Sequence, residues 1–141
     1  MTPARREGEP VAGKVKGHWA AEQRSPHPAA IDYLNLLMSP ELAQAVSQAL
    51  EAAPLEHHRA NDLLRASGLA LLPVNDPQVA KDIKAARRGK KLAPVLLIRG
   101  RAAAGRALII ADGYHRICAS CHIDTETQIP CRVVELPDGA T

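Results

Sequence analysis

The chain has 141 residues, enough for one domain with its own core and too few for two. Apolar residues make up 46%, but there is no Phe, one Trp and two Tyr, so the core is aliphatic; this argues against a single-stranded nucleic-acid platform, which needs rings for bases to stack on. A net charge of +3 is too weak to imply nucleic-acid binding without a clustered patch.

Residues 1–28 read as a flexible tail of Gly, Pro and scattered charge, without an apolar period and without the apolar centre of a signal peptide. Nothing in the pattern requires Trp19 to dock. From 29 to 53 the pattern turns helical, with Ile31, Leu34, Leu37 and Met38 on one face. Ser39-Pro40-Glu41 is a helix start: a capping hydroxyl, a proline in the first turn and an acid near the positive end. Leu42, Val46, Ala49 and Leu50 give that helix its apolar stripe. A further helix is predicted over 56–67, with Leu63 and Leu64 inward and Gly68 ending it. His57 and His58 sit near its start and point in different directions.

Residues 29–68 thus form a helical extension, and the pattern then alternates. Residues 69–72 read as a short apolar strand. Pro73-Val74-Asn75-Asp76-Pro77 is a turn in which Asp76 caps and Pro77 begins a helix that buries Val79 and Ile83 and ends at Gly89. Arg87-Arg88-Gly89-Lys90-Lys91 is the densest basic patch; it reads either as a solvated helix end or as an attractor for phosphate. Residues 92–98 form a strand with Pro94 near its start, 99–106 a basic loop, 108–111 a buried strand, 115–122 a helix and 129–136 the last strand. Residues 137–141 read as a loose end.

Ala111-Asp112-Gly113-Tyr114-His115-Arg116 carries the most chemistry. A buried strand ends in Asp112-Gly113 and a helix follows at once, so free N–H groups and a positive dipole end meet at an anion site. Gly113 permits positive φ and close approach of a ligand. His115 and Arg116 add donors, and an arginine can hold phosphate through two N–H bonds. Asp112 is suited to accept from a ribose hydroxyl, hold a metal or orient His115. The alternative is an ordinary strand–turn–helix corner with Asp112 capping and Arg116 solvated.

Residues 69–136 resemble the superfamily shared by the ParB amino-terminal domain and sulfiredoxin. Three segments carry the resemblance: Leu72-Pro73-Val74-Asn75-Asp76-Pro77-Gln78, similar to a strand followed by an Asn-Pro-x-Gln turn; Gly89-Lys90-Lys91-Leu92-Ala93-Pro94-Val95, similar to a helix-ending glycine and the next strand; and Ile110-Ala111-Asp112-Gly113-Tyr114-His115-Arg116, similar to the family's phosphate-binding turn. Sulfiredoxins carry a reactive Cys directly before the His-Arg pair, where this chain has Tyr114, so their reaction is not expected. DNA-partitioning ParB proteins carry Gly-Glu-Arg-Arg there, and this chain has Gly-Tyr-His-Arg. The motif is most similar to the Asp-Gly-His-His-Arg form of free serine kinases, which use an acidic residue near the first strand as base; Asp76 is the candidate that the resemblance implies, with helix capping as its other role.

Three cysteines cannot complete a disulfide framework, and reduced thiols in a cytoplasmic protein are the default. Cys118-Ala119-Ser120-Cys121-His122 matches the haem-attachment pattern, but without an export signal Cys118 and Cys121 read as buried packing residues. His115, Cys118 and His122 fall on one helical face with Cys131 on the next strand, which leaves a zinc-stabilised structural domain as a second alternative.

The expected fold is α+β, a small mixed sheet with packed helices and N-terminal helices that either cover a sheet face or mediate a homodimer. The expected function is binding of a nucleotide (ATP, ADP or CTP), with phosphoryl transfer to a small-molecule acceptor or nucleotide hydrolysis as an extension. Phosphates would sit on Gly113, Tyr114 and His115, held by His115 and Arg116, with Lys90, Lys91 and Asn75 nearby. His115, Asp112 and Asp76 are the candidate catalytic residues, and magnesium is implied if chemistry occurs. The rival is a non-catalytic ligand-sensing module. No apolar run approaches the ~20 residues that span a membrane.

Overall fold

The computed structural model describes residues 17–20 and 28–137, which form five α-helices around a four-stranded mixed sheet, the α+β class expected. Helices α1 (Pro28–Leu37) and α2 (Pro40–Ala52) meet at Ser39, whose Oγ accepts from the Leu42 N–H at 3.1 Å with Pro40 in the first turn. They are followed by β1 (Leu55–Arg59), α3 (Ala60–Ser67), α4 (Pro77–Arg87), β2 (Val95–Ile98), β3 (Ile109–Asp112), α5 (Tyr114–Ile123) and β4 (Gln128–Val134).

The sheet order is β1-β4-β2-β3, with β4 parallel to β2 and the two outer pairings antiparallel. Alternation along the strands divides the core in two. Val95, Leu97, Ile110, Ile129 and Cys131 pack with α3, α4 and α5 on one face. Leu96, Ile98 and Ala111 pack with Leu34, Val46 and Leu50 of α1 and α2 on the other. Covering both faces explains why β2 is apolar at every position. The N-terminal helices therefore act as a cover for the sheet. Ala49 of the predicted stripe is exposed, and Ala43 is buried in its place.

Three expectations are corrected. Residues 55–59 are a strand, not the start of a helix: β1 pairs with β4 across a long stretch of chain, and its half-buried Glu56 and His58, opposite Cys131 and Ile129, bond each other at 3.0 Å. Such a polar edge strand offers no apolar alternation to read. Residues 69–72 belong to no strand; the carbonyl of Ala70 accepts from Tyr114 Oη, and that of Leu72 bonds His122 Nε2 at 2.7 Å. Side chains of α5 thus take the place of a neighbouring strand.

The third correction concerns the tail. Residues 1–16 and 21–27 lie outside the described residues, as do 138–141, but residues 17–20 belong to the fold. Trp19 bridges Leu92, with Leu92 N–H donating to the His18 carbonyl at 2.8 Å and Ala20 N–H to the Leu92 carbonyl at 2.7 Å. His18 is buried, and its Nε2 shares the fully buried Ser120 Oγ with Trp19 Nε1, at 2.9 and 3.1 Å. Deleting residues 1–20 removes a half-buried indole and these bonds, worth about 2–4 kcal/mol together. The melting temperature should fall by roughly 7–14 °C. An unchanged melting curve would show that this docking contributes nothing.

Candidate functional site

The end of β3 and the start of α5 form one wall of a cleft of about 380 Å³, lined by Asp112, Gly113, Tyr114, His115 and Arg116, with Gln78 and Asp82 of α4 and Ala29 of α1 opposite. The strand–glycine–helix pattern places the first five. Gly113 is the residue before α5 and has no side chain, so no cap closes the helix's first-turn N–H groups. Its φ is +111°, a conformation that disfavours any residue with a Cβ.

Gly113 was expected to make room for a ligand; the space belongs to the protein itself. A Cβ there would lie 2.5 Å from Val95 Cγ1 and 2.9 Å from Val95 Cβ, in the buried core of β2. The glycine lets β3 turn into α5 directly over β2, and this close approach sets where the helix begins.

Arg116 is largely withdrawn from solvent, its side chain 21% exposed. One terminal nitrogen donates to the Pro94 carbonyl at 3.1 Å and lies 3.4 Å from Asp112 Oδ2, an i, i+4 ion pair. Its Nε is buried with no hydrogen-bond partner. Asp82, 9% exposed, accepts from Gln78 Nε2 at 3.0 Å through Oδ1, while its Oδ2 is buried and unpartnered. Buried donors and acceptors are rarely left unpaired, and each costs about 1–3 kcal/mol while it stays so. Both residues line the cleft, but these two atoms themselves lie beneath its surface.

The other nominated residues fall elsewhere. Asp76 caps α4, its Oδ1 accepting from the N–H groups of Gln78 and Val79, each at 3.0 Å, and it does not line the cleft. Asn75, Lys90 and Lys91 are exposed and do not line it either; the Lys91 ammonium donates to the Gly17 carbonyl. Tyr114 lines the cleft, but its hydroxyl is held by Ala70, and burial pushes its phenol above the ordinary range. Its ring stands 5.6 Å from that of His115, which is half-buried at the cleft wall.

The zinc alternative is not supported: among the described residues no group of three or more His, Cys, Asp or Glu side chains is placed to hold a metal ion. His122 is bonded to Leu72, and Cys131 Sγ donates to the Ile129 carbonyl at 3.1 Å. Cys118, Cys121 and Cys131 form no disulfide and are buried, all three within the core on the α3–α5 side of the sheet.

Burial pushes all three thiols above their ordinary range, Cys131 to about 12. The folded state keeps its thiol protons where the unfolded chain loses them. Stability is thus fully present below pH ~8.5 and is lost as pH rises toward the folded value, at up to about 1.4 kcal/mol per pH unit for each thiol. Urea unfolding from pH 8 to 10.5 should show this decline, and Cys131→Val should flatten it. A slope that does not change in the variant would remove Cys131 as its cause.

Among the described residues, no helix is long and apolar enough to cross a membrane. No protein-family model, curated protein or solved structure matches the chain.

Proposed function

We propose that the chain binds the phosphate groups of a nucleotide at the turn formed by residues 112–116. One observation carries this reading: the uncapped first turn of α5 and the Arg116 side chain line the same cleft. Free N–H groups and the positive end of a helix favour an anion, and the guanidinium adds charge-assisted donors. His115 supplies a further polar contact from the same wall. A cleft of about 380 Å³ is within the range of small-ligand sites. The resemblance of the 69–136 segment to the ParB amino-terminal and sulfiredoxin superfamily belongs to the same proposal and points to the same turn.

Magnesium supplies charge neutralisation when it accompanies a nucleotide, and the Asp112 carboxylate in the cleft would hold it together with phosphate oxygens. The capping role of Asp76 favours ligand sensing over phosphoryl transfer, because the base implied by the kinase-like motif is engaged with α4 and lies outside the cleft.

Calorimetric titration with ATP, ADP and CTP, each with and without magnesium, tests the reading. Binding that inorganic tripolyphosphate competes away is expected. No binding at several millimolar overturns it. A parallel assay for released phosphate separates sensing, with no turnover, from hydrolysis.

A further inference from the structure

A second cavity, of about 450 Å³, lies between α4, the last turn of α5 and the turn that precedes α4. None of its residues lines the cleft at 112–116. One side is apolar: Ile83 and Ile123 are buried and Ala80 is half-buried. Val74 joins them although it is 55% exposed, an apolar side chain in a turn otherwise made of Pro, Asn and Asp. The other side is basic. Lys84 and Arg87 line the cavity and are exposed, and among the described residues their side chains form no hydrogen bond or ion pair. By contrast Arg59, Arg65, Arg99 and Arg116 each pair with a carboxylate. Cations suit the negative end of a helix, which accounts for their charge but not for the apolar surface beside them. No carboxylate lines the cavity; Asp124, next to Ile123, accepts from the Glu126 N–H at 2.9 Å through Oδ1. His122 completes the wall, and its Nε2 donates to the Leu72 carbonyl at 2.7 Å, which ties the segment before Val74 to α5. The wall is thus formed before a ligand arrives, which lowers the cost of binding.

We propose that this cavity binds a small amphiphilic carboxylate, its apolar body on Val74, Ile83 and Ile123 and its head group held by Lys84 and Arg87. The volume lies in the range of small-ligand sites. The guanidinium fork of an arginine matches a carboxylate with two N–H bonds. A singly charged head group fits better than a phosphate. Lys84 and Arg87 lie in the last turn of α4 and His122 in the last turn of α5, the negative ends of both helices. At the positive end of α4 the N–H groups of Gln78, Val79 and Ala80 are all taken by Asp76, so none is left for a phosphate.

Amide chemical-shift titrations of the full chain with octanoate, octanol, acetate and octyl phosphate test this. Octanoate should shift residues 74–87 and 122–123 and bind at least about tenfold more tightly than octanol, which lacks the charge. Acetate, which lacks the body, should bind weaker than octanoate by at least about tenfold. In the Lys84→Ala, Arg87→Ala double variant the preference for octanoate over octanol should disappear while octanol binds as before, which shows that the cavity is intact. Octanol bound as tightly as octanoate by wild type overturns the proposal, since the cations then do nothing. Acetate bound as tightly as octanoate also overturns it, by making the patch a solvated helix end. So does octyl phosphate bound more tightly than octanoate at these residues, or octanoate shifts confined to 112–116. Shifts at 74–87 that appear without any probe, on raising the protein concentration or on deleting residues 1–16, would give the cavity to a second copy or to that segment and overturn it too. No response to octanoate at several millimolar does the same.

Discussion

Gly113→Ala should destabilise the domain by about 2–6 kcal/mol, a large part of the 5–15 kcal/mol typical of a whole domain. Two independent terms add. A residue with a Cβ at φ +111° is strained, costing roughly 1–3 kcal/mol. The new methyl also lies 2.5 Å from Val95 Cγ1, and Val95 is fully buried with no room to retreat. Overpacking of that kind typically costs about 1–3 kcal/mol. The second term can be isolated. Val95→Ala removes Cγ1, the atom the methyl meets most closely, and keeps Cβ at 2.9 Å, so the double variant should be more stable than the sum of the single losses predicts, by about 1 kcal/mol. Urea unfolding of the four proteins measures this. Simple additivity would show that Val95 Cγ1 is not the obstacle.

What could be read in the sequence divides along the same line, between local and distant causes. Ser39-Pro40 and Asp76-Pro77 mark the starts of α2 and α4 because a cap and a first-turn proline act within four residues. The turn from β3 to α5 is legible for the same reason. β1 was not, because Leu55-Glu56-His57-His58-Arg59 becomes a strand only through β4, whose Arg132 faces Leu55 across 77 residues of sequence (132 − 55). The reverse error, a strand placed at 69–72, came from an apolar run whose carbonyls are engaged by Tyr114 and His122. Trp19 carried no periodic signal because its docking depends on Leu92 and on Ser120, both far away in the chain.

The site shows the same division. Residues 112–116 are contiguous, and the sequence places them together. Lys90, Lys91, Asn75 and Asp76 were drawn toward them by charge and by the resemblance, but the fold does not bring them to the cleft. Gln78 and Asp82 were missed although a signal existed. Val79, Asp82, Ile83 and Ala86 recur at i, i+3, i+4 and i+7, the buried stripe of a helix, and one of the four is a carboxylate. A charged residue on an apolar stripe asks for a partner, whereas a charge on the solvated face does not.

Arg116→Ala should weaken nucleotide binding by at least about tenfold, with little effect on the fold. Each charge-assisted bond to phosphate contributes roughly 1.5–3 kcal/mol before losses, and 1.4 kcal/mol is a factor of ten. The cost to stability should be small. The substitution removes a half-satisfied i, i+4 pair with Asp112 and a bond to the Pro94 carbonyl, but it also removes the unpaired Nε. These opposing terms separate binding from folding, which the glycine variant cannot do. Arg116→Lys should recover only part of the affinity, because a point charge lacks the guanidinium fork. Raising salt should weaken wild type more than Arg116→Ala, since the variant has lost a screened attraction. Calorimetric titration of the three proteins with ATP at two ionic strengths, with melting curves alongside, measures all of this. If Arg116→Ala binds as tightly as wild type at both salts, the α5 corner is a structural turn and the guanidinium serves only to hold Asp112 and Pro94.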